Sequence, residues 1–149
     1  MGHESIFYGR IESIPFEREK GSFFLHDLNC EVIESLPKED EWPFLTRDMF
    51  NYPKTKNTII TVPNSIYRTP IITFGASYKD LNPEDPDIEE WNQWISKFEL
   101  LISKMYWFSI AIHIEAERPF NEFLCVWVKD SEIPFNKPTN KWRFKLTKL

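Results

Sequence analysis

The chain has 149 residues, the size of one ordinary domain, and a domain of that length can bury a sufficient core without a metal or a disulfide. A formal net charge of −5 disfavours a general nucleic-acid binder, whose affinity comes from neutralising phosphates. The 42% hydrophobic and 16% aromatic content excludes a disordered chain, and only 4 Gly leave little material for a nucleotide-cradling loop.

In chain order, residues 6–14 (IFYGRIESI) read as a strand that Pro15 ends. Gly21-Ser22 opens a helix to about Leu36, with Leu25, Leu28, Val32 and Leu36 on one face, Phe24 beside it and Pro37 as its stop. Residues 38–56 are irregular, with one helical turn over 46–50. Residues 58–62 are a β-branched strand, and Pro63-Asn64-Ser65 reads as a turn. A further strand region spans 66–78, broken at Pro70 and kinked at Gly75.

An acidic loop, 79–86, leads to a second helix that Asp87 caps, with Glu89 and Glu90 suiting the helix dipole. Ile88, Trp91, Ile95, Phe98, Ile102 and Met105 recur at helical spacing and predict the buried stripe; Glu90 and Lys97 fall off it. The pattern then switches to period two. Tyr106, Phe108, Ile110, Ile112 and Ile114 alternate with Trp107, Ser109, Ala111, His113 and Glu115. Strands over 123–129 and 141–146 follow, the last alternating Trp142, Phe144 and Leu146 with Arg143 and Lys145.

This βαββαβ order with an added hairpin predicts a single α+β domain over 1–149. The expected architecture is an antiparallel sheet of five to six strands with two main helices packed on one face. A curved sheet wrapping the second helix is the other arrangement the order allows.

Little in the chain is a catalytic signature. There is no glycine-rich phosphate loop, no GxSxG elbow, no HExxH and no CxxC. His113, Glu115 and Ser109 share the outer face of one strand, but Ser109 is mid-strand, where a nucleophile lacks the exposed turn it needs. His3, His26 and His113 are scattered and no pair has the short spacing of a zinc site, so neither metal nor cofactor is expected. Cys30 and Cys125 stand in apolar contexts and read as buried free thiols. No signal peptide and no apolar run of the roughly 20 residues needed to cross a bilayer is visible, which points to a cytoplasmic protein without membrane or nucleic-acid partners.

Two surfaces read as binding material. Trp42-Pro43-Phe44-Leu45-Thr46-Arg47-Asp48-Met49-Phe50 concentrates large apolar residues outside any regular element, and Trp42 with Arg47 are residue types enriched at interface anchors. Trp107, on the outer strand face, would extend that aromatic surface. Asp80 to Glu90, including Glu84, Asp85, Asp87 and Glu89, clusters negative charge that the core does not need, with Glu39 to Glu41 as a second acidic run. Such clusters steer basic partners.

The segments WPFLTRDMF, FGASYKD, IEEWNQWISKFELLISKMYW and SIAIHIEAE resemble, in general type, the small acidic single-domain immunity proteins of bacterial toxin systems. That resemblance implies a non-enzymatic cytoplasmic protein that binds and blocks one cognate toxin, and it carries over no site residues. The alternatives are a small enzyme or ligand-binding protein with an aromatic-lined pocket near His113 and Glu115, and a domain that joins a larger complex through its aromatic surface. The oligomeric state stays open.

Overall fold

A computed structural model describes residues 2–13, 24–52, 70–84, 88–117, 120–134 and 136–149. The elements are β1 (Glu4–Ser13), α1 (Phe24–Glu34), a 3-10 turn (Arg47–Met49), β2 (Phe50–Asn51), β3 (Ile71–Lys79), α2 (Ile88–Ile102), β4 (Trp107–Ala116), β5 (Asn121–Lys129) and β6 (Trp142–Lys148). They form an α+β fold around one six-stranded sheet of order β2-β3-β1-β4-β5-β6, with antiparallel pairing throughout. The strand expected over 58–62 lies outside the described residues.

Alternation along the strands separates two faces of the sheet. Phe7 and Ile11 of β1, Ile72, Phe74 and Tyr78 of β3, Ile110, Ile112 and Ile114 of β4, and Phe123, Cys125 and Trp127 of β5 point inward and are buried. α2 lies over this face. Its Trp94 ring meets Phe7 at 4.9 Å and Phe98 at 5.2 Å, and Phe98 meets Trp127 of β5 at 5.0 Å. Glu99 fastens the far side: one carboxylate oxygen accepts the indole N–H groups of Trp127 (3.2 Å) and Trp142 (2.8 Å). α1 joins the same layer through Ile33 in the core and through Asn29, which exchanges hydrogen bonds with the Tyr106 backbone.

The buried stripe of α2 is Trp91, Trp94, Phe98, Leu101 and Ile102. The expected stripe had the right period but was rotated toward Ile88 and Ile95. Ile88 is exposed, and Ile95 packs only partly against the core. The rings of Phe7, Phe74 and Tyr78 gather under Trp94 and fix the rotation. α1 is turned similarly, burying Leu25, His26, Asn29, Cys30 and Ile33 instead of the stripe through Leu28 and Val32.

Trp107 is also placed differently from expectation. Between Ile11 and Ser13 of β1 the register with β4 shifts, so that three steps on β4, from Ile110 to Trp107, oppose two on β1. This bulge turns Phe108 outward and Trp107 inward. Trp107 is buried, and its indole N–H donates to the Ile102 carbonyl at 2.9 Å. Gly75, expected as a kink, continues β3 in unbroken register opposite Tyr8. Gly9 is the demanding glycine: a Cβ there would collide with the Ala111 carbonyl oxygen and the Ile112 backbone, because β1 and β4 pass closely.

Candidate functional site

The first locus is an open groove of about 750 Å³ between the outer side of α2 and the irregular segment before the 3-10 turn. Glu41, Trp42, Glu89, Asn92, Gln93, Ser96 and Lys97 line it. Lys97 builds one wall. Its ammonium donates to Asp40 Oδ2 (2.9 Å), to the Glu41 carbonyl (2.8 Å) and to the Pro43 carbonyl (3.0 Å), so a side chain expected to be idle holds residues 40–43 against the helix. Burial alone would raise the Asp40 carboxyl, but Lys97 and the backbone N–H groups of Leu45 and Glu41 outweigh it and hold Asp40 below its ordinary value.

With Lys97 neutralised by Asp40, Glu41 and Glu89 set the sign of the groove, and both are exposed. Trp42 is half-buried, edge-on to the exposed Phe44 at 5.3 Å, and its peptide bond to Pro43 is cis. Below it the Tyr78 hydroxyl donates to the Phe44 carbonyl (2.6 Å) and accepts from the Trp94 indole (2.9 Å), while burial pushes the phenol far above its usual range.

The groove unites Trp42 with Glu89, but it does not collect the other residues singled out from sequence. Arg47 lies elsewhere and donates to the Glu34 carbonyl at 3.4 Å, closing the end of α1. Glu84 is exposed but ion-paired with Lys148 at 2.8 Å. Asp80 is a turn residue at φ 54° whose carboxylate accepts the His3 backbone N–H at 2.7 Å. Asp85 and Asp87 lie outside the described residues.

The second locus is on the sheet face away from the helices. His113 and Glu115 share that face, as their spacing requires, and β5 adds Glu122 directly opposite Glu115. His113 Nε2 lies 3.2 Å from Glu122 Oε2. Tyr8, opposite His113 on β1, lays its ring on the imidazole at 4.7 Å and donates its hydroxyl to Glu115 Oε1 at 3.3 Å. Its phenol is raised by desolvation and by the neighbouring Glu115 and Glu122, so it stays a donor. Ser109 takes no part; its hydroxyl donates to Glu12 at 3.2 Å. Sequence alone does not reveal Tyr8 and Glu122, because both enter through strand pairing. A β4–β5 hairpin register would have shown Glu122; nothing in the sequence signals Tyr8.

A third group is buried at the end of the sheet. Cys30 Sγ stands 3.6 Å from His26 Nε2, His26 Nδ1 lies 3.2 Å from Ser13 Oγ, and Asn29 Nδ2 donates to the same hydroxyl at 3.0 Å. A thiol beside an imidazole has the composition of a nucleophilic pair. Yet His26 and Cys30 are 0% and 1% exposed, and Asn29 is committed to the Tyr106 backbone. The group is a polar joint between α1, β1 and the start of β4. Cys125, in the core under α2, is also a free thiol, and burial pushes it up to about 12.

No helix among the described residues is long and apolar enough to cross a membrane. No protein-family model matches the chain, and neither a curated protein nor a solved structure is detectably similar to it.

Proposed function

We propose that this protein is a non-enzymatic binding module of the immunity type, acting in the cytoplasm by occupying a basic protein partner, a toxin domain. The observation that carries the reading is the meeting of Trp42 and Glu89 in one groove. Two surfaces that are distant in sequence become a single aromatic and acidic face. An aromatic anchor within negative charge suits a partner whose own surface is basic, as a phosphate-gripping toxin's would be. The exposed carboxylates act mainly on the rate of encounter, because they are screened over about 10 Å at 0.1 M salt.

The test is affinity capture from the source organism, followed by association kinetics with the recovered protein. Wild type is compared with the double reversal Glu41→Lys plus Glu89→Lys, at low and high salt. These positions are exposed, so folding is retained; Glu84 is left intact because a lysine there would face Lys148. Slower association of the double variant, with the gap closing as salt rises, supports the reading. Equal rates at every ionic strength, or failure to recover any partner, refute it.

The second reading, a ligand-binding protein or small enzyme centred on His113 and Glu115, draws on the convergence of those two with Tyr8 and Glu122.

A further inference from the structure

The geometry points to a divalent-cation site, of the zinc class, formed by His113, Glu115 and Glu122 on the open face of the sheet. One ligand atom from each of the three lies within 4.8 Å of the others. An ion held at about 2.0–2.2 Å from each donor brings donors to roughly 3–3.5 Å of one another. The closure required is therefore about 1–2 Å, within the swing of two glutamate side chains, and the Glu122 side chain is 36% exposed and free to make it. One imidazole and two carboxylates suit zinc and its first-row neighbours. Magnesium and calcium prefer an all-oxygen shell.

Electrostatics argue in the same direction. Glu115 and Glu122 are direct cross-strand partners, and like charges so placed oppose pairing. Among the described residues neither makes an ion pair with a lysine or arginine; Arg10 is taken by Glu12, and Lys148 by Glu84. Among the described residues, the basic partner of the pair is His113, which lies 3.2 Å from Glu122. A doubly charged ion would cancel the repulsion that a single imidazole leaves.

The surroundings resemble the support that metal ligands receive. The Tyr8 ring packs against the imidazole at 4.7 Å with a 43° tilt, and its hydroxyl donates to one carboxylate oxygen of Glu115, leaving the other for an ion. On the far side of Tyr8, Gly75 has no atom within 4 Å of where a Cβ would stand, which leaves that flank open to solvent. This site is independent of the groove on α2, and its loss would leave the binding reading untouched.

The test uses the full chain, stripped of metal by chelator and desalted, then titrated calorimetrically with zinc ion. One equivalent is expected to bind, and zinc is expected to raise the thermal midpoint. Glu122→Gln, nearly isosteric, should weaken zinc binding at least about 10-fold without lowering the midpoint of the metal-free protein, since it relieves the opposed charges. His113→Ala should weaken it further. Cobalt supplies a second readout that does not depend on the variants folding: visible d–d bands without thiolate-to-metal charge transfer, as imidazole and carboxylate ligands give. Absence of saturable binding up to about 1 mM zinc, unchanged affinity in Glu122→Gln, or a thiolate charge-transfer band assigning the ion to Cys30 or Cys125 would each overturn the proposal.

Discussion

Replacing Phe98 with alanine removes a ring that touches three others. Phe98 is fully buried, stacked on Trp94 at 5.2 Å and an 11° interplanar angle, 5.0 Å from Trp127 and 6.2 Å from Phe74. Its neighbours belong to α2, β5 and β3, which cannot all collapse into the space a ring leaves. The cost should therefore fall in the middle of the range for buried Phe→Ala, about 4 kcal/mol. For a domain of this size that is a large share of the roughly 5–15 kcal/mol available, and it lowers the thermal midpoint by about 8–16 °C. Ile95→Ala, partly buried, should cost about 1–2 kcal/mol. Ile88→Ala, at a position 47% exposed, should stay within about 0.5 kcal/mol. The assay is urea denaturation followed by tryptophan fluorescence, compared at unchanged m. The order Phe98, Ile95, Ile88 is the content of the prediction. Equal losses at Phe98 and Ile88 would mean that α2 presents a different face to the sheet and would refute the packing described.

Lys97→Ala should cost about 1–2 kcal/mol in the same titration, because it releases a carboxylate and two carbonyls that Lys97 gathers; a change near zero would mean residues 40–43 are held by packing alone. The folded Asp40 carboxyl lies below its ordinary 3.8, so its contribution is present above about pH 4 and is lost as pH falls through the lower folded value. Asp40→Asn should accordingly flatten the acid limb of the stability curve, and an unaltered limb would contradict the pairing. Both thiols should escape a thiol-specific reagent in the native protein and both should titrate after denaturation, since Cys30 and Cys125 are buried and not joined in a disulfide; one fast native thiol would place Cys30 or Cys125 at the surface.

What sequence determined by itself was periodicity, and periodicity is local. The 3.6-residue recurrence through Trp91, Phe98 and Ile102 and the alternation from Ile110 to Ile114 follow from backbone geometry, so the two helices, the strands around α2 and the α+β class were legible. Where two adjacent positions were both apolar, as at Trp94 and Ile95, the period could not choose between them. The choice belonged to the rings of Phe7, Phe74 and Tyr78 on other strands. Trp107 was misread for a related reason: one extra residue between Ile110 and Trp107 reverses the face, and a bulge is a property of a pair of strands. Charge was legible as composition but not as use. Lys97, Arg47, Asp80 and Glu84 look alike as solvated side chains, and only the approach of distant carbonyls, amides and counter-charges makes them structural. The same holds for function. His113 and Glu115 could be placed on one face from their spacing, but Tyr8 and Glu122 reach them across two different strand pairings, and Trp42 reaches Glu89 only because α2 docks beside its segment. A site assembled from separate elements is specified by the long-range contacts that pack them, and those contacts leave no pattern along the chain.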